Sequence, residues 1–289
     1  MRKSVSGLAV FAAAGVLLCG CDAAAQDQSL SGAARDARIA ELELQATRGQ
    51  AVPLPANAAA LDDALARRDY TALRSQMGAS SSAEAELMLN WAKIAIFKGG
   101  SFSVSLIYTG DLWRMAEAME RAAGRDPTNA AALNQQARSL KKLSVMMGLH
   151  AEALLQVDAV RCVDSDAAMG MMAETHGALA PQWTFARSLP VEERAVLIRT
   201  ASILESTIAP VREPDYRLCA SGTGMSAMAA GTPRAIEDPA TPGADVAVEI
   251  DPEDLVIDNG QWWAISPMAR TLALTTAARN LEVPFEQVL

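Results

Sequence analysis

The sequence predicts a mainly all-α protein, in which stacked helical hairpins are followed by a small C-terminal β-hairpin and a last helix. Three observations carry this. Apolar residues recur at helical spacing through Leu112, Met115, Ala116, Met119, Ala122 and Ala123, which marks one buried helix face. The next residues, Asp126-Pro127-Thr128-Asn129, join a capping aspartate to a proline suited to a first helical turn. Beyond Gly243 the pattern changes to alternation at Val246, Val248 and Ile250, the period of a strand.

The chain opens with Arg2 and Lys3 ahead of an apolar run from Val5 to Leu18, the anatomy of a secretory signal. The run is shorter than the roughly 20 apolar residues a membrane-spanning helix needs. It ends in Leu18-Cys19-Gly20-Cys21, which resembles the lipobox of bacterial lipoproteins. That resemblance implies a diacylglyceryl thioether on Cys21, removal of residues 1–20 as a signal peptide, and N-acylation of the new terminus, as by palmitate. Asp22 resembles the signal that keeps enterobacterial lipoproteins in the inner membrane. Ordinary cleavage after Ala23-Ala24-Ala25, an A-x-A pattern, is the alternative and releases a soluble product.

The formal net charge of −9 at pH 7 becomes −11 once Arg2 and Lys3 are removed, because residues 1–20 contain no acid. No basic stripe is visible, so nucleic acid is not an expected partner. Removal of 20 residues from 289 leaves 269, enough for one large core or two small ones. Two cysteines then remain beyond the leader and the lipidated residue, Cys162 and Cys219. In an oxidising envelope they are expected to form a disulfide, with two separate buried thiols as the alternative.

Residues 21–55 read as a tether and first helix, with Ile39, Leu42 and Ala46 on one face and Pro53 and Pro55 as the stop. Residues 56–221 read as the helical domain. Asn57 is placed to cap a helix carrying Leu61 and Leu65, and Asp69 to cap the next, with Tyr70 and Leu73 turned inward. Ala83 to Phe97 is apolar nearly all round and is stopped by Gly99-Gly100, as expected for a helix buried between neighbours. The helix after Asp126-Pro127 carries Leu133, Ala137, Leu140 and Met147, and should pair with the Asp111–Ala123 helix as an antiparallel hairpin. Leu189-Pro190 with Glu192 and Glu193 starts a further helix that Pro210 ends.

Gly110-Asp111, Met119, Ala122 and Asp126-Pro127-Thr128-Asn129 fall in the spacing of the second helix of a tetratricopeptide repeat and its closing turn. The chain resembles that family here, with echoes at Asp69-Tyr70 with Leu73 and at Gly148 with Ala153 and Val160. The separations depart from a strict 34-residue period. The resemblance implies a stacked-helix solenoid, and an irregular helical bundle is the alternative. Residues 222–243, rich in Gly and Pro, read as a linker. In residues 244–289, Asp258-Asn259-Gly260 marks a tight turn, with Gln261–Ile265 as the second strand and Pro267–Leu281 as a covering helix. Adjacent Trp262 and Trp263 point to opposite faces of a strand, so one is a contact candidate and both packed in a core is the alternative.

Catalytic chemistry is not evident. His150 and His176 lack the spacing of a zinc helix motif. Ser139-x-x-Lys142 has the bare spacing of serine acyl-enzymes without companion motifs. The pairs Glu84/Glu86 and Glu192/Glu193 do not face each other on a helix, and Gly222-Thr223-Gly224 is too short for a phosphate loop. No enzyme activity and no cofactor are expected. Met146, Met147 and His150 fall within one helical turn, and Met169, Met172 and His176 recur at spacings of three and four. Thioether and imidazole suit Cu(I), so a copper-handling or other ligand-binding lipoprotein is the second reading.

The first reading is a membrane-anchored, periplasm-facing helical scaffold that binds another envelope protein or peptide. Its contact candidates are Asn134, Gln135, Arg138 and Lys141 on the helix after Asp126-Pro127, together with Trp262 and Trp263. By resemblance, tetratricopeptide lipoproteins assist outer-membrane protein insertion, peptidoglycan synthesis, or polysaccharide and secretion machinery.

Overall fold

The structure is a computed structural model, and it describes residues 30–78, 81–162, 165–212, 215, 218, 234–237, 245–248 and 262–289. It is mostly helical. The helices are α1 (Gly32–Thr47), α2 (Ala58–Ala66), α3 (Tyr70–Gln76), α4 (Ser82–Phe97), α5 (Phe102–Ala123), α6 (Ala130–Ala159), α7 (Ser165–Ala178), α8 (Ala180–Arg187), α9 (Val191–Ile208) and α10 (Trp262–Asn280). Short 3₁₀ turns follow α9 at Ala209–Val211 and α10 at Phe285–Gln287. Among the described residues no helix is long and apolar enough to cross a membrane.

The antiparallel pair α5 and α6 forms the spine. Its helices run 22 and 30 residues, and the expected aspartate closes their turn. Asp126 Oδ1 accepts from the backbone N–H of Thr128 at 3.1 Å and of Asn129 at 3.3 Å, while Asn129 Nδ2 donates to Asp126 Oδ2 at 2.6 Å. The Asn129 side chain, opposed by desolvation and aided by the backbone N–H groups of Asn129 and Thr128, holds the Asp126 carboxyl below its usual range. α6 continues unbroken through Gly148 and Ala153 to its cap at Val160, so no repeat boundary falls among these echoes. Gly148 is small for a packing reason. A Cβ there would stand 3.2 Å from side-chain atoms of Leu179 and Trp183.

Local signals place several other ends. Asp69 caps α3 by accepting from Ala72 N–H at 2.9 Å. Asn57 makes no such cap, and its Nδ2 instead donates to the Gln76 carbonyl, tying α2 to α3. α1 ends ahead of the prolines, where Arg48 and Gly49 take positive φ. Gly99, at φ +91°, lies so close to the chain after α9 that a Cβ would meet Val211 O at 2.9 Å.

Three buried clusters pack around the spine. Leu61, Leu73, Trp91, Ile96, Leu112 and Leu140 belong to the first, joining α2–α4 to the hairpin. Leu149, Trp183, Ile198 and Leu281 belong to the second, where α8, α9 and the C-terminal segment meet α6. The third contains Phe102, Leu154, Leu155, Cys162 and Ile208.

The C-terminal expectation is corrected in one respect. Trp262–Ile265 lie in α10 and not in a second strand, and Pro267 is inside that helix. The Asn-Gly turn signal is local, whereas extending a helix already nucleated downstream adds a hydrogen bond per residue. The hairpin expected about Asn259-Gly260 is therefore not shown. A short antiparallel ladder instead pairs Arg234–Glu237, within the expected linker, with Asp245–Val248.

Candidate functional site

On α6 the expected contact residues divide. Asn134, Gln135 and Arg138 are exposed. Spacing of four and then three from Asn134 through Arg138 to Lys141 puts these three on one line of the helix. Lys141 differs from the expectation, because its side chain is mostly covered and already engaged. Its Nζ lies 2.7 and 2.8 Å from the two carboxylate oxygens of Glu120, 5.0 Å from the centroid of Trp113 and 5.8 Å from that of Phe185. A lysine on a helix points back toward the N-terminus, here toward the α5–α6 turn where Glu120 stands.

Trp113 and Phe185 meet edge to face at 6.1 Å, and Trp113 Nε1 donates to Glu117 Oε1 at 3.0 Å. Both rings are only partly buried. The line Asn134–Arg138 therefore leads to a half-covered aromatic pair with an ammonium held above it, the composition that concentrates binding energy in protein interfaces. Trp113, Phe185 and Glu120 were not singled out from the sequence. The available signal was a tryptophan one residue off the buried stripe of α5, since Leu112 is buried and Trp113 turns beside it.

Trp262 and Trp263 open α10, and the placement of their side chains lies outside the described residues, as do Cys21, Asp22, Cys219 and Gly222-Thr223-Gly224. Cys162 is buried and disulfide-bonded, and its partner also lies outside the described residues.

The two methionine–histidine groups separate. His150 is fully buried, with Nδ1 3.1 Å from Ser105 Oγ. Burial, reinforced by the charge of Arg212, pushes its pKa down to about 3. Met147 belongs to the first core cluster and Met146 packs against the first and second, so this group is interior packing. In the other group Met169 is 60% exposed, and Met172 packs against the third cluster. His176 Nδ1 is 2.8 Å from Glu152 Oε1, and its ring stacks on Trp183 at 5.6 Å. Burial pushes the Glu152 carboxyl up, and the hydrogen bond and charge of His176 act against that rise. Among the described residues no three His, Cys, Asp or Glu side chains gather as a metal site.

Ser139 and Lys142 do not act together. The Ser139 hydroxyl donates to the Gln135 carbonyl, and Lys142 pairs with Glu193 at 2.6 Å.

Behind these faces lies a chain of buried charge. Arg212 NH1 bridges both oxygens of Asp158 at 2.7 Å, and the Asp215 backbone N–H donates to the same carboxylate. Burial works against the charge of Arg212, but Asp158 and Glu205 outweigh it and hold its pKa above the usual arginine value. Arg270 Nε donates to Glu205 Oε2 at 2.7 Å. The Tyr70 hydroxyl donates to Asp215, and burial followed by the charge of Asp215 drives the phenol pKa far upward. These pairs tie α3, α6, α9, α10 and the segment after α9 together.

No protein-family model, curated protein or solved structure matches the chain.

Proposed function

We propose that the chain is a lipid-anchored, periplasm-facing helical scaffold that binds another cell-envelope protein or peptide. The observation that carries this is the α5–α6–α8 face, where exposed Asn134, Gln135 and Arg138 run up to the half-covered Trp113–Phe185 pair. A two-helix spine can present that line while a lipid on Cys21 confines the molecule to a membrane surface without occupying it. In this reading Cys162 and Cys219 form the disulfide, the helical pairs stack in a tetratricopeptide-like manner, and Asp22 favours the inner membrane. The test is crosslinking of the full chain in intact cells, with partners identified by mass, in the parent and in a variant with Asn134, Gln135 and Arg138 replaced by Ala.

A second reading has its own observation. Glu152 fixes Nδ1 of His176, the arrangement by which carboxylates orient metal-binding imidazoles, and Met172 lies one helical turn before it. Copper handling at Met169, Met172 and His176 is therefore the alternative function.

A further inference from the structure

Helices α9 and α10 both pack on α6. They run antiparallel, since Arg194 reaches the Leu281 carbonyl and Arg270 reaches Glu205. Away from α6 they carry apolar side chains. Val196 and Ile203 of α9 and Met268 and Leu272 of α10 are between 43% and 68% exposed, and they are half of the large apolar side chains left exposed among the described residues. A spacing of seven on α9 and four on α10 puts each pair on one side of its helix.

Two features separate this face from an ordinary solvated one. Thr200, Thr207, Thr271 and Thr275 each donate the hydroxyl hydrogen to a carbonyl four residues back in the same helix, at 2.6–2.9 Å. None of these hydrogens is then offered to water. Carboxylates are also missing. In a sequence with 34 acidic residues, Trp262–Leu281 contains none, and Val196–Ile208 contains only Glu205, buried against Arg270.

The position of the face decides what covers it. Leu30 N–H donates to the Pro210 carbonyl and Arg38 to the Thr207 carbonyl, so the chain from Cys21 joins the helical body at the C-terminal end of α9. Antiparallel packing makes that the end where α10 starts. Cys21 is nine peptide steps before Leu30, a reach of at most about 30 Å, and Ile203 lies about 10 Å along α9 from Pro210. A lipid on Cys21 holds this end near a bilayer, where an apolar face meets the interface at high effective concentration. Anionic headgroups repel carboxylates, and the exposed Glu192 of α9 stands at the opposite end.

We propose that the outer face of α9 and α10 lies against the membrane interface, with Val196, Ile203, Met268 and Leu272 entering the boundary between headgroups and acyl chains. The proposal rests on the Cys21 anchor for its location and deepens that reading, because the anchor sets the distance and this face sets the orientation.

Site-specific photocrosslinking of the full chain in intact cells tests it. Ile203→benzoylphenylalanine, Leu272→benzoylphenylalanine and, as control, Arg138→benzoylphenylalanine are irradiated, and adducts are identified by peptide mass. Phospholipid adducts should form at 203 and 272 and be absent at 138. Met268→Asp with Leu272→Asp, added to the chain carrying the probe at 203, should abolish its lipid adduct while helical circular dichroism stays unchanged, since both positions are exposed. No lipid adduct at 203 and 272, or an equal yield at 138, would overturn the proposal. Crosslinks from 203 and 272 into another protein, a second copy or residues 213–261 of the same chain, in place of lipid, would also overturn it. The N-terminal peptide in the same digest reports acylation of Cys21 separately. An acylated Cys21 without adducts sinks this proposal and leaves the anchor standing, whereas adducts with an unmodified Cys21 sink the anchor and leave the face.

Discussion

Arg212 grips both carboxylate oxygens of Asp158 at 2.7 Å, with both side chains no more than 4% exposed. The pair joins the end of α6 to the segment leaving α9, and the same segment accepts Arg35 Nε at the Val211 carbonyl and Leu30 N–H at the Pro210 carbonyl. A sequence segment that reads only as a helix stop is thus where α1, α6 and α9 are fastened together. Asp158→Ala leaves Arg212 charged and buried without its partner, and breaking a buried pair from one side typically costs about 3–5 kcal/mol. Chemical denaturation should show a loss of that size. A change below about 1 kcal/mol would mean that the pair does not fasten these elements.

His150 gives the fold an acid sensitivity with a defined sign. Its folded pKa, about 3, lies below the usual 6.5, so between those values the unfolded chain holds a proton that the folded chain excludes. Stability is therefore complete above about pH 6.5 and falls as pH drops toward 3, by up to about 1.4 kcal/mol per pH unit. His150→Gln should flatten the stability profile through that window. Parallel profiles for variant and parent would show that the ring does not titrate as its burial requires.

The scaffold reading makes an independent prediction about copper. Carefully purified protein should hold no stoichiometric copper, and His176→Gln should leave metal content unchanged. Tight one-to-one Cu(I) binding that the variant loses would raise copper handling above the scaffold reading.

Much of the helical layout was legible because it rests on local chemistry. Asp69, Asp126 and Pro190 act within a few residues of where they stand, and the Leu112–Ala116 stripe is buried as its spacing requires. Long-range pairs left no such trace. Glu205 and Arg270 are 65 positions apart, and nothing in either neighbourhood announces the other. Lys141 reads from sequence as a partner-contact candidate because its actual partners, Glu120, Trp113 and Phe185, come from two other helices. The strand reading of Trp262–Ile265 failed for the converse reason, since a short turn signal was weighed without the helix that reaches back to Trp262. His150 and His176 look alike in sequence, each placed after two methionines, and only packing separates a sealed core ring from a half-exposed one.

The central claim is that partners bind along the α5–α6–α8 face. Asn134, Gln135 and Arg138 are exposed, so replacing all three with Ala should change thermal stability little. Trp113→Ala removes the half-covered ring beside them and should weaken binding by about 2 kcal/mol or more if it is a hot spot. Crosslinking in intact cells, with partner recovery compared among the parent, the triple variant, Trp113→Ala and a variant with Trp262 and Trp263 replaced by Ala, measures this directly. The account predicts that partners fall away in the first two variants and persist in the double-tryptophan variant. Partners retained by both face variants and lost in the double-tryptophan variant would contradict it, and would assign binding to Trp262 and Trp263.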